Sequence, residues 1–411
     1  MDGRKLIPHL RFPKYKNHWV ETKLSDLLFE SKATNKDQKY SKEDVLSVSG
    51  QDGIVNQIKH LGRSYAGVSV RNYHVVDKGD IVYTKSPLKA NPYGIIKINK
   101  GNPGIVSTLY AVYKTKINIS GSFLDHYFKL DANVNRYLRP LVKKGAKNDM
   151  KINNYYVLHD KIAVPELSEQ IEIARFLDLV DMWLSNIRSQ KQELENYKKG
   201  LIQKIFSQKI RFKDTKDKDY PEWEQTSLGE NASFLKGAGI AKDDIQSEGK
   251  NECIRYGELY TEYKETINIV KSRTNIPTNK STLSKSGDIL IPSSGETAID
   301  ISTASCILKD DVLLGGDLNI IRLNKNNNGV FYAYYLKNYA NRAIAKIAQG
   351  NSVVHLYSSG LKKIKIYRPS VLEQQKIANF LTSLDKLIES KQNQINEAEN
   401  WKKGLLQQVF I

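Results

Sequence analysis

The hydrophobic and polar residues follow two different patterns along the chain. Short runs of apolar and β-branched residues bounded by turn residues predict strands at 80–84, 94–98, 109–115, 289–291 and 319–323. Helical spacing appears near 122–142 and 330–348, directly after each group of strands. We therefore expect two compact domains of mixed strand and helix content, each of about 150 residues.

A longer helical pattern occurs twice. Residues 165–206 align without a gap to residues 369–410, and 18 of the 42 aligned positions are identical, where composition alone would give about two or three. Trp19-x4-Leu24 matches Trp223-x4-Leu228 at the same offset of 204 residues. The repeat unit is therefore about half of the chain, and duplication explains it most simply.

Each repeated segment begins with Pro, carries Glu and Gln in its first turn and continues as a long predicted helix. Its apolar residues fall at heptad spacing, which favours packing against a partner helix, and the other copy is the obvious candidate. We predict an antiparallel coiled coil with pseudo-twofold symmetry; the alternative is ordinary helix packing inside one globule. The predicted seam consists of Val180, Trp183, Ile187, Gln190, Leu194, Tyr197 and Leu201 in the first copy, and Leu384, Leu387, Gln394, Ala398, Trp401 and Leu405 in the second.

The charge balance indicates a class of partner. The 411 residues include 63 Lys and Arg against 45 Asp and Glu, a formal net charge of +18. Such a surface attracts polyanions, so nucleic acid is the leading partner; the alternative is a basic surface that serves only solubility.

Neither a membrane nor redox chemistry is indicated. The most apolar run, at 104–113, is about half the length that crosses a bilayer, and the charged N-terminal residues do not resemble a secretory signal. We therefore expect a cytoplasmic protein without a membrane partner. Cys253 and Cys306 have no cysteine at metal-ligand spacing and are expected to be buried thiols.

Motifs for catalysis are scarce. There is no Walker-type phosphate loop, and the seven histidines show no metal-ligand spacing, so no metal site is predicted. Asn91-Pro92-Tyr93-Gly94 is interpreted as a turn, and Glu169 and Glu373 as acidic residues of first helical turns. An enzyme with loosely spaced magnesium ligands stays open as the alternative to a non-catalytic protein that reads DNA.

The repeated motifs resemble the specificity subunit of type I restriction-modification systems over nearly the whole chain. They are the Pro-x3-Glu-Gln-x2-Ile-Ala-x-Phe-Leu-x3-Asp starts at 165–181 and 369–385, the Lys-Lys-Gly-Leu ends at 198–201 and 402–405, and the openings at 11–13 and 220–221. The resemblance implies an α+β fold with two target-recognition domains in tandem, separated by two long conserved helices packed as an antiparallel coiled coil. The expected boundaries are 1–164 for the first recognition domain, 165–210 for the first helical spacer, 211–219 for a basic linker, 220–368 for the second recognition domain and 369–411 for the second spacer.

The resemblance also implies the partners. Each recognition domain would read one half of an interrupted sequence in double-stranded DNA, while two methyltransferase subunits bind along the helices and restriction subunits join the full complex of a bacterial defence system. This chain would then be non-catalytic and would hold no cofactor. S-adenosylmethionine, ATP and magnesium would belong to the partner subunits; a stand-alone methyltransferase or nuclease is the alternative.

Two loops ahead of the helical spacers are the candidate DNA contacts. Glycine would let the backbone approach a phosphate, lysine suits phosphate or guanine, and Asn or Gln can pair with adenine. The alternative is a solvated turn in each case. The candidates are Lys143, Lys144, Gly145, Lys147 and Asn148 in the first loop (142–148), Gln349, Gly350, Asn351 and Ser352 in the second loop (348–353), and, as weaker candidates at strand ends, Lys85, Ser86, Ser293 and Ser294.

Overall fold

The computed structural model describes residues 6–50, 52–144, 150–350 and 353–411. The chain divides into two compact units. Unit 1 runs to Arg188 and also takes in Asn393–Ile411, whereas unit 2 consists of Ser189–Gln392. Each unit therefore combines one α+β domain with the start of one long helix and the end of the other. No helix in the described ranges is long and apolar enough to cross a membrane.

Unit 1 begins with a domain of short strands and helices. Its strands are β1 (Val20–Lys23), β2 (Leu28–Glu30), β3 (Leu46–Ser49), β4 (Gly53–Asn56), β5 (His74–Val76), β6 (Ile81–Thr84), β7 (Ile95–Ile98), β8 (Gly104–Val106), β9 (Tyr110–Thr115), β10 (Lys143–Lys144), β11 (Met150–Lys151) and β12 (Lys161–Val164). Its helices are α1 (Leu24–Leu27), α2 (Gln57–Leu61), α3 (Gly121–Lys129) and α4 (Asp131–Leu138), after which the long helix α5 (Leu167–Phe206) starts. The main sheet has the order β2-β9-β6-β7 and packs against α3 around Tyr83 and Phe123.

Unit 2 repeats this plan with additional strands. They are β13 (Glu224–Ser227), β14 (Ala232–Lys236), β15 (Asn251–Ile254), β16 (Thr266–Ile267), β17 (Ser272–Thr274), β18 (Thr282–Leu283), β19 (Ile289–Pro292), β20 (Ser294–Gly295), β21 (Ser305–Ile307), β22 (Leu313–Leu314), β23 (Leu318–Leu323), β24 (Val354–His355) and β25 (Lys365–Arg368). The helices are α6 (Leu228–Asn231), α7 (Glu258–Thr261), α8 (Gly329–Asn338), α9 (Asn341–Lys346), α10 (Ser358–Lys362) and the long helix α11 (Val371–Val409).

The duplication is visible in strand register. β1 pairs antiparallel with β12, with Val20 opposite Val164, and β13 pairs with β25, with Glu224 opposite Arg368. The central sheet of unit 2, β14-β23-β19-β21-β16, repeats the order of unit 1 and adds one edge strand. The five predicted strands are confirmed. Each predicted helical stretch of the domains is instead two helices, because Leu130 in the first domain adopts an extended conformation that ends α3.

The Glu and Gln of the repeated motif attach each domain to its long helix. The carboxylate of Glu169 is fully buried and accepts two hydrogen bonds from Arg11, at 2.6 and 2.7 Å, and one from Trp19 Nε1. Gln170 accepts a hydrogen bond from the backbone N–H of Ser120, the residue that caps α3, and donates one to Pro165 O. These contacts hold the start of the domain and the N-terminal end of α3 against the first turn of α5.

Unit 2 contains the same attachment. Glu373 is fully buried and accepts hydrogen bonds from Arg211 and from Trp223 Nε1, while Gln374 accepts from the backbone N–H of Asn328, which caps α8. The role of the two glutamates is thus structural, as expected, but it comes from a buried ion pair and not only from the helix dipole.

The long helices are antiparallel in each unit. In unit 1, Asp181 of α5 contacts Lys402 of α11, and Arg188 contacts Glu399. Residue numbers therefore rise along one helix as they fall along the other. In unit 2, Gln190 Oε1 accepts a hydrogen bond from Lys391 Nζ at 2.9 Å. Val180, Ile187, Ala398 and Leu405 are buried in these contacts, and Leu194, Leu201 and Leu384 are partly buried.

The predicted seam residues that are not in the heptad column of Val180 and Leu384 lie at the edge of the seam and are not buried in it. Trp183, Tyr197, Leu387 and Trp401 are 44–57% exposed, Gln394 is exposed, and Gln190 is half-buried. Trp183 and Trp401 nevertheless contact each other across the two helices, with ring centroids 6.4 Å apart. The column that is buried lies on the other side of Val180, at Leu177 and Leu184 in α5 and at Ile388 and Ile395 in α11. Both columns fit a heptad with Val180. The buried column was obscured because it also contains lysines such as Lys198, whose charge is paired across the helices.

Candidate nucleic-acid interface

The second predicted loop is the tip of a small hairpin in unit 2. The backbone groups of Gln349 and His355 exchange two hydrogen bonds, at 2.9 and 2.7 Å, and so close the base of the loop. Gly350 has φ of +120°, and a Cβ there would lie 2.1 Å from Val353 O. Glycine is therefore required at this turn. Gln349 and Gly350 are exposed, while the predicted contacts Asn351 and Ser352 lie outside the described residues.

The first predicted loop occupies the equivalent place in unit 1. Lys143 pairs with Lys151 and Lys144 with Met150, so β10 and β11 form a two-stranded hairpin. Gly145, Lys147 and Asn148 lie outside the described residues. Both candidate loops therefore follow the second helix of their domain and are closed by antiparallel pairing, between β10 and β11 in unit 1 and by the single bridge of Gln349 with His355 in unit 2. This shared position is what the sequence predicted.

The weaker candidates differ from one another in exposure. Ser86 is exposed, and Lys85 is half-buried, which lowers the pKa of its ammonium group. Ser293 and Ser294 are only 5% and 7% exposed. Ser294 pairs with His355, and Ser293 O accepts a hydrogen bond from Leu356 N at 2.9 Å. These two serines thus lie beneath the second loop and hold its base, and their hydroxyls do not form its surface.

Exposed aromatic residues next to both hairpins were not predicted. In unit 1, Tyr155 and Tyr156 are each 56% exposed, and the ring of Tyr156 stacks on His159 with centroids 4.6 Å apart. In unit 2, the exposed rings of His355 and Tyr357 are stacked at 6.2 Å. Flat exposed rings can pack against sugars or bases. The sequence signal was the run Asn153-Asn154-Tyr155-Tyr156 directly after the first hairpin.

One cluster in unit 1 has the composition of a metal site but is already neutralised. His126, Asp178 and Asp181 bring three possible ligand atoms within 4.8 Å of one another. However, Asp178 accepts hydrogen bonds from His126, Lys100 and Ser122, and Asp181 accepts from Lys129 and Lys402. Burial would raise the pKa of Asp178, yet these donors hold it below its ordinary value. The ammonium groups occupy the place of a cation, so the cluster joins α3 to the helix pair.

A chain that repeats one α+β domain and one long helix, and presents a hairpin loop from each domain, has the organisation of a duplicated recognition protein. The family model of the type I restriction modification DNA specificity domain matches twice, at residues 16–196 and 220–400. The chain belongs to this family.

Two curated relatives come from Methanocaldococcus jannaschii. The chain named as the MjaX specificity subunit is 27% identical over 291 residues, which cover 69% of this chain and 65% of the relative. The type I restriction enzyme MjaVIII specificity subunit is 25% identical over 265 residues, or 60% of each chain. The chain therefore spans somewhat less than two thirds of the length of these relatives.

Solved structures share the fold. The S subunit of a type I restriction-modification system from M. genitalium superposes with a TM-score of 0.58 at 14% identity and covers 99% of both chains. A chain from a study of type I R-M complex assembly gives 0.57 at 15% identity, covering 95% of this chain and 97% of that one.

Proposed function

We propose that this chain is the DNA sequence-specificity subunit of a type I restriction-modification complex. Each recognition domain reads one half of a bipartite target and directs adenine methylation or restriction by partner subunits. The observation that carries the proposal is the contrast between a repeated scaffold and divergent contents. The domains share their attachment to the helices, from Arg11 to Glu169 and from Arg211 to Glu373, but unit 2 has a second four-stranded sheet, β17-β15-β22-β18.

The two hairpins supply the contacts with bases and phosphates. Lysines of the first loop, Lys143, Lys144 and Lys147, bind phosphates or guanine, while Asn148, Gln349 and Asn351 pair with adenine edges. The exposed Tyr156 and Tyr357 pack beside these contacts. Support comes from the exposed hairpin position of Gln349 and Gly350 and from the net charge of +18.

Two methyltransferase subunits bind this chain, one at the helix pair of each unit. The inference is supported by the equivalence of the pairs, since Asp181 with Lys402 and Asp385 with Lys198 are the same contact made twice. Restriction subunits join this complex. S-adenosylmethionine, ATP and magnesium are bound by those partners.

A domain exchange tests the proposal. Residues 24–164 are replaced by the matching segment of a homologous specificity subunit, and methylated adenines are then mapped across the genome of a host that expresses the complex. We expect one half of the methylated motif to change and the other half to persist. A change of both halves together would contradict reading by separate domains.

The absence of catalysis is tested with the purified chain. Incubated with DNA and S-adenosylmethionine, or with DNA and magnesium, it should neither methylate nor cleave, whereas the complex with methyltransferase subunits should methylate. Methyl transfer by the chain alone would instead establish a stand-alone modifying enzyme. The mass of the assembled complex gives the number of methyltransferase subunits.

A further inference from the structure

Each unit contains an open cleft between its α+β domain and its helix pair. The cleft of unit 2 has a volume of about 770 Å³ and lies between α5 and the ends of α8 and α9. The cleft of unit 1, of about 640 Å³, lies between the C-terminal part of α11 and the ends of α3 and α4. Among the described residues, no member of the two hairpin loops lines either cleft, so the proposed readout of bases does not account for the clefts.

The two clefts are built from the same positions of the repeat. Residues of the Lys-Lys-Gly-Leu motif and their neighbours line both of them, with Lys199, Gln203 and Glu195 in unit 2 matching Lys403, Gln407 and Glu399 in unit 1. Lys337 of α8 takes the place of Lys129 of α3. The duplicated halves have diverged elsewhere in their domains, so retention of these side chains in both copies indicates a shared role.

The carboxylates that line the clefts already have partners. Asp385 is paired with Lys198, Asp181 with Lys402 and Lys129, Glu399 with Arg188, and Glu195 with Lys191. The remaining one, Asp131, accepts a hydrogen bond from Asn91. The first lysine of each Lys-Lys-Gly-Leu motif is thus paired with an aspartate of the other long helix. Among the described lining residues, no unpaired carboxylate remains to neutralise the second lysine.

Several lysines that line the clefts have no bonded partner among the described residues. Within the described ranges, the side chains of Lys199, Lys403, Lys337 and Lys97 form no hydrogen bond or salt bridge. Lys97 is notable because it is only 7% exposed and lies in the wall of the unit 1 cleft, where burial lowers the pKa of its ammonium group. The carboxylates of Asp125 and Asp131 attract this ammonium group without bonding to it. A buried ammonium without a direct anionic partner is costly, and an anion in the cleft would relieve that cost.

The lining favours a polyanion over a protein. The unit 2 cleft carries five basic side chains against two acidic ones, and its other polar groups are mainly amide side chains, including Gln203, Asn338 and Asn341. Protein interfaces are depleted in lysine at their core and enriched in aromatic anchors. Lysine, arginine and amide donors are instead the groups that contact the DNA backbone.

We propose that each cleft binds backbone phosphates of DNA without reading sequence, through Lys199 and Lys337 in unit 2 and through Lys403 and Lys97 in unit 1. This inference rests on the proposed function, because it assigns the non-specific part of DNA binding to residues apart from the hairpins. It also gives the second lysine of each Lys-Lys-Gly-Leu motif a role that helix packing does not supply.

The test compares two charge-matched double variants of the full chain. Lys199→Ala with Lys403→Ala removes one cleft lysine from each unit. Lys325→Ala with Lys386→Ala removes the same charge from exposed lysines that line neither cleft. Binding to a fluorescein-labelled duplex of about four helical turns is followed by anisotropy between about 50 and 200 mM salt.

The cleft variant should reduce the slope of log affinity against log salt by about two, since each lost phosphate contact contributes about 0.9. The control should keep the slope of the unaltered chain within about half a unit.

Equal slopes for both variants would overturn the cleft assignment, whereas failure of the unaltered chain to bind any duplex would overturn the proposed function itself. Loss of methyltransferase binding with unchanged DNA binding would assign the clefts to a protein. Binding of fluorescent ATP that disappears in the cleft variant would assign them to a nucleotide.

Discussion

Lys198 Nζ on α5 lies 2.6 Å from Asp385 Oδ1 on α11, within the seam between the two helices. The side chains are 12% and 17% exposed, and the hydroxyl of Tyr334 donates to the other carboxylate oxygen. A residue from the end of one repeated motif is therefore bonded to a residue from the start of the other. This relationship accounts for both the Lys and the Asp of the motifs.

Removing this lysine should destabilise unit 2. Lys198→Met leaves Asp385 buried beside Tyr334 without its cation, which should cost about 3 kcal/mol of unfolding free energy. Lys199→Met, one residue further and exposed, should change it by about 0.5 kcal/mol or less. Urea unfolding of both variants measures the difference. The double variant Lys198→Met with Asp385→Asn should recover part of the loss; additive losses would show that the two residues are not coupled.

The attachment of the second domain to its helix should depend on Glu373. Its fully buried carboxylate accepts hydrogen bonds from Arg211 and Trp223. Glu373→Ala removes the buried anionic partner of Arg211 and leaves it only the exposed Glu222, which should cost about 3–5 kcal/mol. Glu389→Ala, at an exposed position of the same helix, should cost about 0.5 kcal/mol or less. Similar urea midpoints for the two variants would exclude Glu373 as the anchor.

Acid should destabilise unit 1 through His126. Its side chain is buried, and burial lowers the pKa of the imidazole despite the hydrogen bond to Asp178. Among the described residues, Nδ1 has no hydrogen-bond partner, so a second ring proton would be unsatisfied. Below about pH 6.5 the unfolded chain binds a proton that the folded chain does not, and stability falls as the pH decreases.

Unfolding free energies at about pH 7.5 and pH 5.5 measure this effect, which for one group cannot exceed about 1.4 kcal/mol per pH unit. His126→Gln should reduce the difference between the two pH values. His60→Gln, at an exposed histidine, should leave it unchanged. A pH dependence that persists in His126→Gln would assign it to other groups.

The sequence could predict elements that repeat and whose pattern is dominated by apolar residues. The strands around Ile81 and Ile289 and both long helices were found for this reason. The seam column through Lys198 was missed because heptad patterns do not show that a lysine is paired across the helices. Arg211 was assigned to a basic linker, yet it is bonded to Glu373. Its equivalence to Arg11 was hidden by a different spacing to the following tryptophan, Trp223 as against Trp19.

The candidate loops could be located from sequence but not their geometry. Their position after the second helix of each domain follows from the repeat. Which of their side chains is exposed depends on pairing between distant strands, such as Ser294 with His355, and no local pattern encodes it. The positive φ of Gly350 was likewise not specified by the residues around it.

Gly350 should set the shape of the second loop, and Gly350→Ala tests whether that shape reads bases. An added Cβ would lie 2.1 Å from Val353 O, and φ of +120° is strained for alanine, so the loop must move. The binding free energy for DNA that carries the target motif, as found by mapping methylated adenines, should weaken by about 1–3 kcal/mol for each base contact that is lost. Affinity for unrelated DNA should be retained, because phosphate contacts carry no sequence information.

Gly200→Ala is the control, since a Cβ there meets nothing within 4 Å. In the interior of α5 this alanine should stabilise the helix by about 1 kcal/mol and leave the preference for the target intact. If Gly350→Ala lowers affinity for target and unrelated DNA equally, the second loop contacts the backbone and does not read sequence.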